Sequence, residues 1–230
     1  MFLILFLGTM AISLAAMGLL RLTYSRYSKV PASSGMTGAQ VAQRILDING
    51  ITDVSIHPIG GTLTDHYDPT NKTLNLSEAN YSGTSVAALG VSAHECGHAI
   101  QHQKGYAPLQ WRMAAVGATN IASKALYWIP MIGFFGHFIG LRFNYGFIAS
   151  IMCAAMGVIM VFQLITLPVE FDASARAKRI VADIHAVAPG EEATGMNTVL
   201  NVAALTYVAA FISSLAYFLY YLWRMQNSRN

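Results

Sequence analysis

The feature that most constrains this chain is its long uncharged apolar runs. Tyr145 to Leu167 holds no charged residue, and neither does Met1 to Leu20. A run of about twenty apolar residues is long enough to cross a bilayer as a helix. In lipid only helices and closed barrels satisfy their own backbone polar groups, so these runs predict membrane helices. Leu205 to Trp223 is another such run, with Tyr217, Tyr220, Tyr221 and Trp223 as an aromatic belt near one end. A fourth, Ala114 to Gly140, contains Lys124, Trp128, Pro130 and His137 and is longer than a span needs. Composition agrees: 11% of the residues are charged, against about a quarter in soluble domains. A signal peptide would want a basic stretch ahead of the first apolar run, and none is present. The net charge of +3 is small, which points to lipid headgroups rather than nucleic acid as partners of the basic residues.

Between the first two runs the chain is more polar. Val41, Ile45 and Ile48 recur at helical spacing up to Gly50. Val54 to His57, Thr62 to Tyr67 and Lys72 to Ser77 read as three short strands around the Gly60-Gly61 and Asp68-Pro69 turns. Ser82 to Gln103 follows as a helix, with Ser82 or Thr84 as its cap and Gly105 and Pro108 beyond its end.

That last helix carries His94-Glu95-Cys96-Gly97-His98. Residues four apart share a helix face, so His94 and His98 can close on one metal ion. Neutral imidazole is a good zinc ligand. Zinc lowers the pKa of a water on it, and Glu95 is placed to take that water's proton. Gly97 costs about 1 kcal/mol relative to alanine in a helix, which room beside the metal would justify. Cys96 falls on roughly the opposite face from His94 and reads as a packed thiol. With Cys153 in an apolar run, the two cysteines make no disulfide framework.

A catalytic zinc takes a third protein ligand. The metzincin pattern would need histidine where Lys104 stands. His102 shares the stripe of His94 and His98, but its distance along a straight helix favours a supporting role. The acids that follow are Glu170, Asp172, Asp183, Glu191 and Glu192. Glu170 sits just after Pro168, which is expected to end its span. A carboxylate there is expensive unless paired or bound to a cation.

His94 to His102 (HECGHAIQH), Leu167 to Ala177 (LPVEFDASARA) and Ala203 to Ala210 (AALTYVAA), with the order of spans, resemble the YugP-type integral-membrane neutral zinc metallopeptidases. More distantly the chain resembles HtpX-type membrane proteases and CAAX prenyl proteases, where H-E-x-x-H pairs with a later glutamate in E-x-x-x-D. The resemblance is gluzincin-like and covers nearly the whole chain. It implies a zinc endopeptidase with His94, His98 and Glu170 as metal ligands and Glu95 as general base. The acid expected four residues after Glu170 is Ser174 here, and Asp172 lies about 200° round a helix from Glu170, so it is no simple substitute.

The expected fold is mostly α, with about four membrane helices and a small α+β segment built on the H-E-x-x-H helix. The spans are expected over 1–21, 112–141, 142–168 and 203–224. Cytoplasm-facing segments are expected over 22–111 and, with the third ligand, 169–202. Arg21, Arg26, Lys29, Arg112, Arg176, Lys178 and Arg179 flank spans on the zinc side, against Arg142, Arg224 and Arg229 on the other, so the zinc side should be cytoplasmic. Tyr207, near the start of the last span, is either an oxyanion donor or an interfacial anchor. His66 is either a substrate contact or a turn histidine satisfied by backbone; His57, His137 and His185 have weaker claims. The strand Thr73 to Leu76 is a candidate edge for an extended peptide or membrane-protein substrate. The rival reading is a structural zinc that clamps the polar segment onto the membrane helices, and Glu95 argues against it.

Overall fold

The computed structural model describes residues 1–140 and 144–227. Arg142 and Arg229, used in the count of flanking charges, lie outside the described residues. Seven helices and three strands are described: α1 (Phe2–Tyr27), α2 (Gly38–Ile48), β1 (Ser55–Ile59), β2 (His66–Asp68), β3 (Thr73–Ser77), α3 (Glu78–Tyr81), α4 (Val86–Gln103), α5 (Ala107–Phe138), α6 (Tyr145–Asp183) and α7 (Glu191–Asn227).

The chain divides into two compact units. The first comprises Met1–Leu14, Trp111–Leu167 and Tyr207–Asn230. It is helical and apolar, with Ile4, Ile121, Phe138 and Phe147 exposed. Within it, the Thr9 hydroxyl approaches the Tyr217 hydroxyl at 3.2 Å.

The second unit comprises Ala15–Gln110 and Pro168–Thr206. Its core is the meeting of α2 and α4. The α2 stripe Val41, Ala42, Ile45 and Leu46 is wholly buried, with Val86, Leu89 and Cys96 of α4 in the same core cluster. A fully buried aliphatic side chain contributes about 1.5–3 kcal/mol, so this stripe is what fixes α2. Thr37 caps α2 through a reciprocal box with Gln40, and Gly50 leaves the helix at φ +66°.

The sheet order is β1-β3-β2, with β1 parallel and β2 antiparallel to β3. Ile56, Leu74 and Tyr67 are in register on one face, and His57, Asn75 and His66 on the other. Leu74 and Leu76 are wholly buried. The β2–β3 turn is held by the Asp68 carboxylate, which accepts from the main-chain N–H groups of Thr70 and Asn71. The Asp65 carboxylate accepts from the N–H and hydroxyl of Ser77 and from the Asn80 amide; Asn80 in turn accepts from the Tyr24 hydroxyl. These bonds join the end of the sheet to α3 and to the end of α1.

Several expectations need correction. β3 is the central strand, paired on both sides, so Thr73 to Leu76 is no edge. The edge beside α4 is β2, which covers only the end of the stretch from Thr62. The zinc-motif helix starts four residues later than expected: Ser85 caps it, accepting from Ala88 N–H at 3.2 Å, and Ser82 instead closes the short α3. Pro168 does not end a helix. It lies inside α6. A proline removes one i→i−4 bond, yet apolar helices tolerate it where neighbouring hydroxyls and packing support the freed backbone. Among the described residues, three helices are long and apolar enough to cross a membrane by length and composition: Phe2–Tyr27, Gly146–Asp183 and Glu191–Asn227. Among the described residues α5 is not one of them. Asn120, Lys124 and His137 dilute its apolar run, and Pro130 lies inside it.

Candidate metal centre

The site is built by two helices of the second unit. On α4, His94 and His98 are one turn apart, and their rings meet edge to face at 4.8 Å between centroids. On α6, Glu170 lies two residues past Pro168 and is 2% exposed. Its Oε2 is 3.2 Å from His94 Nε2 and 3.6 Å from His98 Nε2. The donor atoms of the three residues all lie within 4.8 Å of one another.

The donor set fits zinc. Bonds of about 2.0–2.1 Å to a tetrahedral zinc place neighbouring ligand atoms about 3.3–3.5 Å apart. The two Nε2–Oε2 separations fall close to that spacing. Both other ring nitrogens are used by the protein. Ser174 Oγ is 3.1 Å from His94 Nδ1, and Gln101 Oε1 is 3.0 Å from His98 Nδ1. Both Nε2 atoms are thereby turned to the carboxylate. Such outer partners orient zinc-binding imidazoles. Burial alone would push the His98 pKa down, but the hydrogen bond and charge of Glu170 outweigh it and leave the pKa raised. The same attraction favours a metal cation in the proton's place.

The approach of the two helices has a local cause. A Cβ on Gly97 would stand 2.7 Å from the carbonyl oxygen of Ala173 and 3.0 Å from its Cα. Gly97 is therefore not there to make room beside a metal. It lets the backbones of α4 and α6 approach closely, which brings Glu170 to the histidines.

Glu95 is outside the ligand set. It is 8% exposed, and its Oε2 accepts from the Tyr67 N–H at 3.0 Å. The Tyr67 hydroxyl lies 2.9 Å from His102 Nδ1, which gives His102 a partner on β2. Burial first, then Asp53 and Asp68, push the Tyr67 hydroxyl up to about 12. Cys96 is buried, its thiol lies 3.7 Å from the Ala42 carbonyl, and burial raises its pKa well above the ordinary range. His66 is exposed, with Nδ1 2.9 Å from the Thr64 carbonyl and Nε2 3.2 Å from the Asn75 amide, so backbone and neighbour satisfy it. Tyr207 lies on α7 in the other compact unit and is half-buried.

Sequence reasoning missed Gln101 and Tyr67. Gln101 had a signal, since it follows His98 by three residues on the same helix. Tyr67 acts through its main chain, which no residue type announces.

Two helices, two histidines and a buried glutamate from a later helix define a metallopeptidase of the H-E-x-x-H-plus-glutamate class. Comparison with known proteins agrees. Residues 2–226 match the family described as "Putative neutral zinc metallopeptidase". The chain is 42% identical over 235 residues to the Bacillus subtilis (strain 168) protein named "Putative membrane protease YugP", covering 100% of this chain and 99% of that one. No solved structure matches. This chain belongs to the neutral zinc metallopeptidase family. Zinc is the metal its ligands fit, and its apolar helices associate it with a membrane.

Proposed function

We propose that this chain is a multi-pass membrane zinc endopeptidase whose His94, His98 and Glu170 hold the metal and whose Glu95 is the general base. The observation that carries this reading is the convergence of two imidazole Nε2 atoms on one buried carboxylate, with a second carboxylate beside them that is not a ligand. Zinc, when bound there, supplies a Lewis acid for the scissile carbonyl and acidifies water. Glu95 takes the proton of the attacking water and returns it to the leaving amine. A purely structural zinc has no use for Glu95.

β2 takes the part expected of β3. It is the sheet edge beside α4, and although its Tyr67 N–H is given to Glu95, an extended peptide could pair with its remaining outward main-chain groups with little demand on side chains. Tyr207 is a candidate to stabilise the oxyanion. Glu170 lies on the same helix as the uncharged run Tyr145 to Leu167, which favours membrane proteins or membrane-proximal segments as substrates. α5 serves as the fourth membrane helix. The basic residues of the second unit and its flanks favour a cytoplasmic face for the site. The test is zinc content together with casein or membrane-protein cleavage in detergent, wild type against Glu95→Gln. The variant should keep zinc and fold and lose at least a hundredfold in kcat, since general-base catalysis contributes about 10²–10⁴. Substantial remaining activity would remove Glu95 from the mechanism.

A further inference from the structure

Gln101 is wholly buried on α4, three residues past His98. Its amide is engaged at both ends. Oε1 is 3.0 Å from His98 Nδ1, and Nε2 is 2.8 Å from both the Val169 carbonyl and Asp172 Oδ2. Arg176 Nε donates to the same Asp172 oxygen at 2.6 Å, and its guanidinium lies over the Tyr106 ring at 5.9 Å.

The polarity of this chain of bonds follows from its far end. A carbonyl only accepts, and so does a carboxylate paired with a guanidinium. The Gln101 atom facing Val169 and Asp172 must therefore be the nitrogen. That turns the oxygen to His98, so Nδ1 of His98 must carry the proton. Nε2 is left with its lone pair, on the side of Glu170. Ser174 cannot do this for His94, because a hydroxyl both donates and accepts.

We propose that Gln101 is the positioning residue that locks His98 in the Nδ1–H tautomer, with Asp172 and the Val169 carbonyl setting the direction of its amide. The inference rests on the reading of His98 as a zinc ligand. It explains why position 101 holds an amide. A carboxylate there would face two acceptors, and an apolar side chain would leave the Val169 carbonyl, Asp172 and the imidazole without their partner. It also makes zinc affinity depend on residues of α6 that do not touch the metal.

The test is zinc affinity by chelator competition on detergent-solubilised full-length protein, with the melting temperature of each variant measured alongside. Gln101→Leu should bind zinc about 10–100-fold more weakly, the usual effect of removing such a partner. Gln101→Glu still offers an oxygen to His98 Nδ1–H, although its other oxygen faces the Val169 carbonyl and Asp172. It should be less stable yet hold zinc more tightly than Gln101→Leu, a split that a merely structural role for Gln101 would not produce. A folded Gln101→Leu variant with wild-type affinity would overturn the proposal, as would a folded Gln101→Glu variant no tighter than Gln101→Leu. Side-chain ¹⁵N resonances of wild-type His98 provide a reading that needs no variant. The Nδ1 should be protonated and the Nε2 not, and the reverse assignment would also overturn it. A wild-type protein that binds no zinc would sink the proposed function instead, leaving the tautomer, read at alkaline pH, to decide this inference.

Discussion

The main-chain N–H of Tyr67 donates to Oε2 of Glu95 at 3.0 Å, so the edge strand β2 and the proposed general base are joined directly. The Tyr67 side chain makes a second attachment, its hydroxyl lying 2.9 Å from His102 Nδ1. Glu95 and His102 are about 10 Å apart along α4 by the helical rise. A three-residue strand is thus pinned to the motif helix at two points. A hydrogen bond of about 1 kcal/mol corresponds to about a fivefold effect. Tyr67→Phe and His102→Ala should each lower kcat about fivefold on an unstructured peptide. The double variant should be no worse than either. His102→Asn, which offers an oxygen near the place of Nδ1, should recover part of the loss. Additive losses would show that the two residues act separately.

The same hydroxyl should be visible in alkaline titration. Burial raises its pKa to about 12, with Asp53 and Asp68 adding to the effect. The unfolded chain loses this proton near about pH 10, and the folded chain keeps it. Tyr67 therefore contributes stability that is present below about pH 10 and is lost as pH rises towards 12. Melting temperature should fall across that window, and less steeply in Tyr67→Phe. The difference in tyrosinate absorbance between the two proteins should show a group titrating near 12. A difference centred at the ordinary tyrosine value would contradict the burial of this hydroxyl.

Glu170→Gln should weaken zinc binding by at least tenfold, while Glu191→Gln should leave it unchanged. The first carboxylate is 2% exposed and faces both imidazoles; the second is exposed in the first turn of α7. Metal content after dialysis against a weak chelator separates them. Equal content in both variants would move the third ligand away from Glu170.

Gly97→Ala should separate α4 from α6. The added methyl would stand 2.7 Å from a backbone oxygen, which cannot swing aside as a side chain can. Overpacking of this kind costs about 1–3 kcal/mol. A lower melting temperature and weaker zinc binding should appear together. Unchanged zinc affinity and unchanged stability would show that the helices do not need this approach.

The candidate ligand set was legible because it obeys helical arithmetic. His94 and His98 are one turn apart, and Glu170 stands out as a buried acid beside an apolar run. Ser174 was legible as a departure, standing where an acid was expected; its bond to His94 was not. Alternation in Thr73 to Ser77 shows which face of the strand is buried but says nothing of its neighbours, so the central place of β3 and the edge at β2 are set by pairing that one strand does not encode. Pro168 misled because proline usually ends a helix, and local propensity carries no account of the surroundings that let α6 continue. Gly97 was noticed for its cost, but its purpose depends on Ala173, far away in sequence.

The thiol of Cys96 is turned away from the metal-binding face to the Ala42 carbonyl, and the three candidate ligands are two imidazoles and a carboxylate. A zinc ion held by nitrogen and oxygen alone offers oxidants and electrophiles no sulfur to attack, whereas a cysteine-ligated zinc is released when its thiolates are oxidised. A zinc held by these three residues would thus be kept through swings in redox state, with the neighbouring Cys96 thiol buried and protonated.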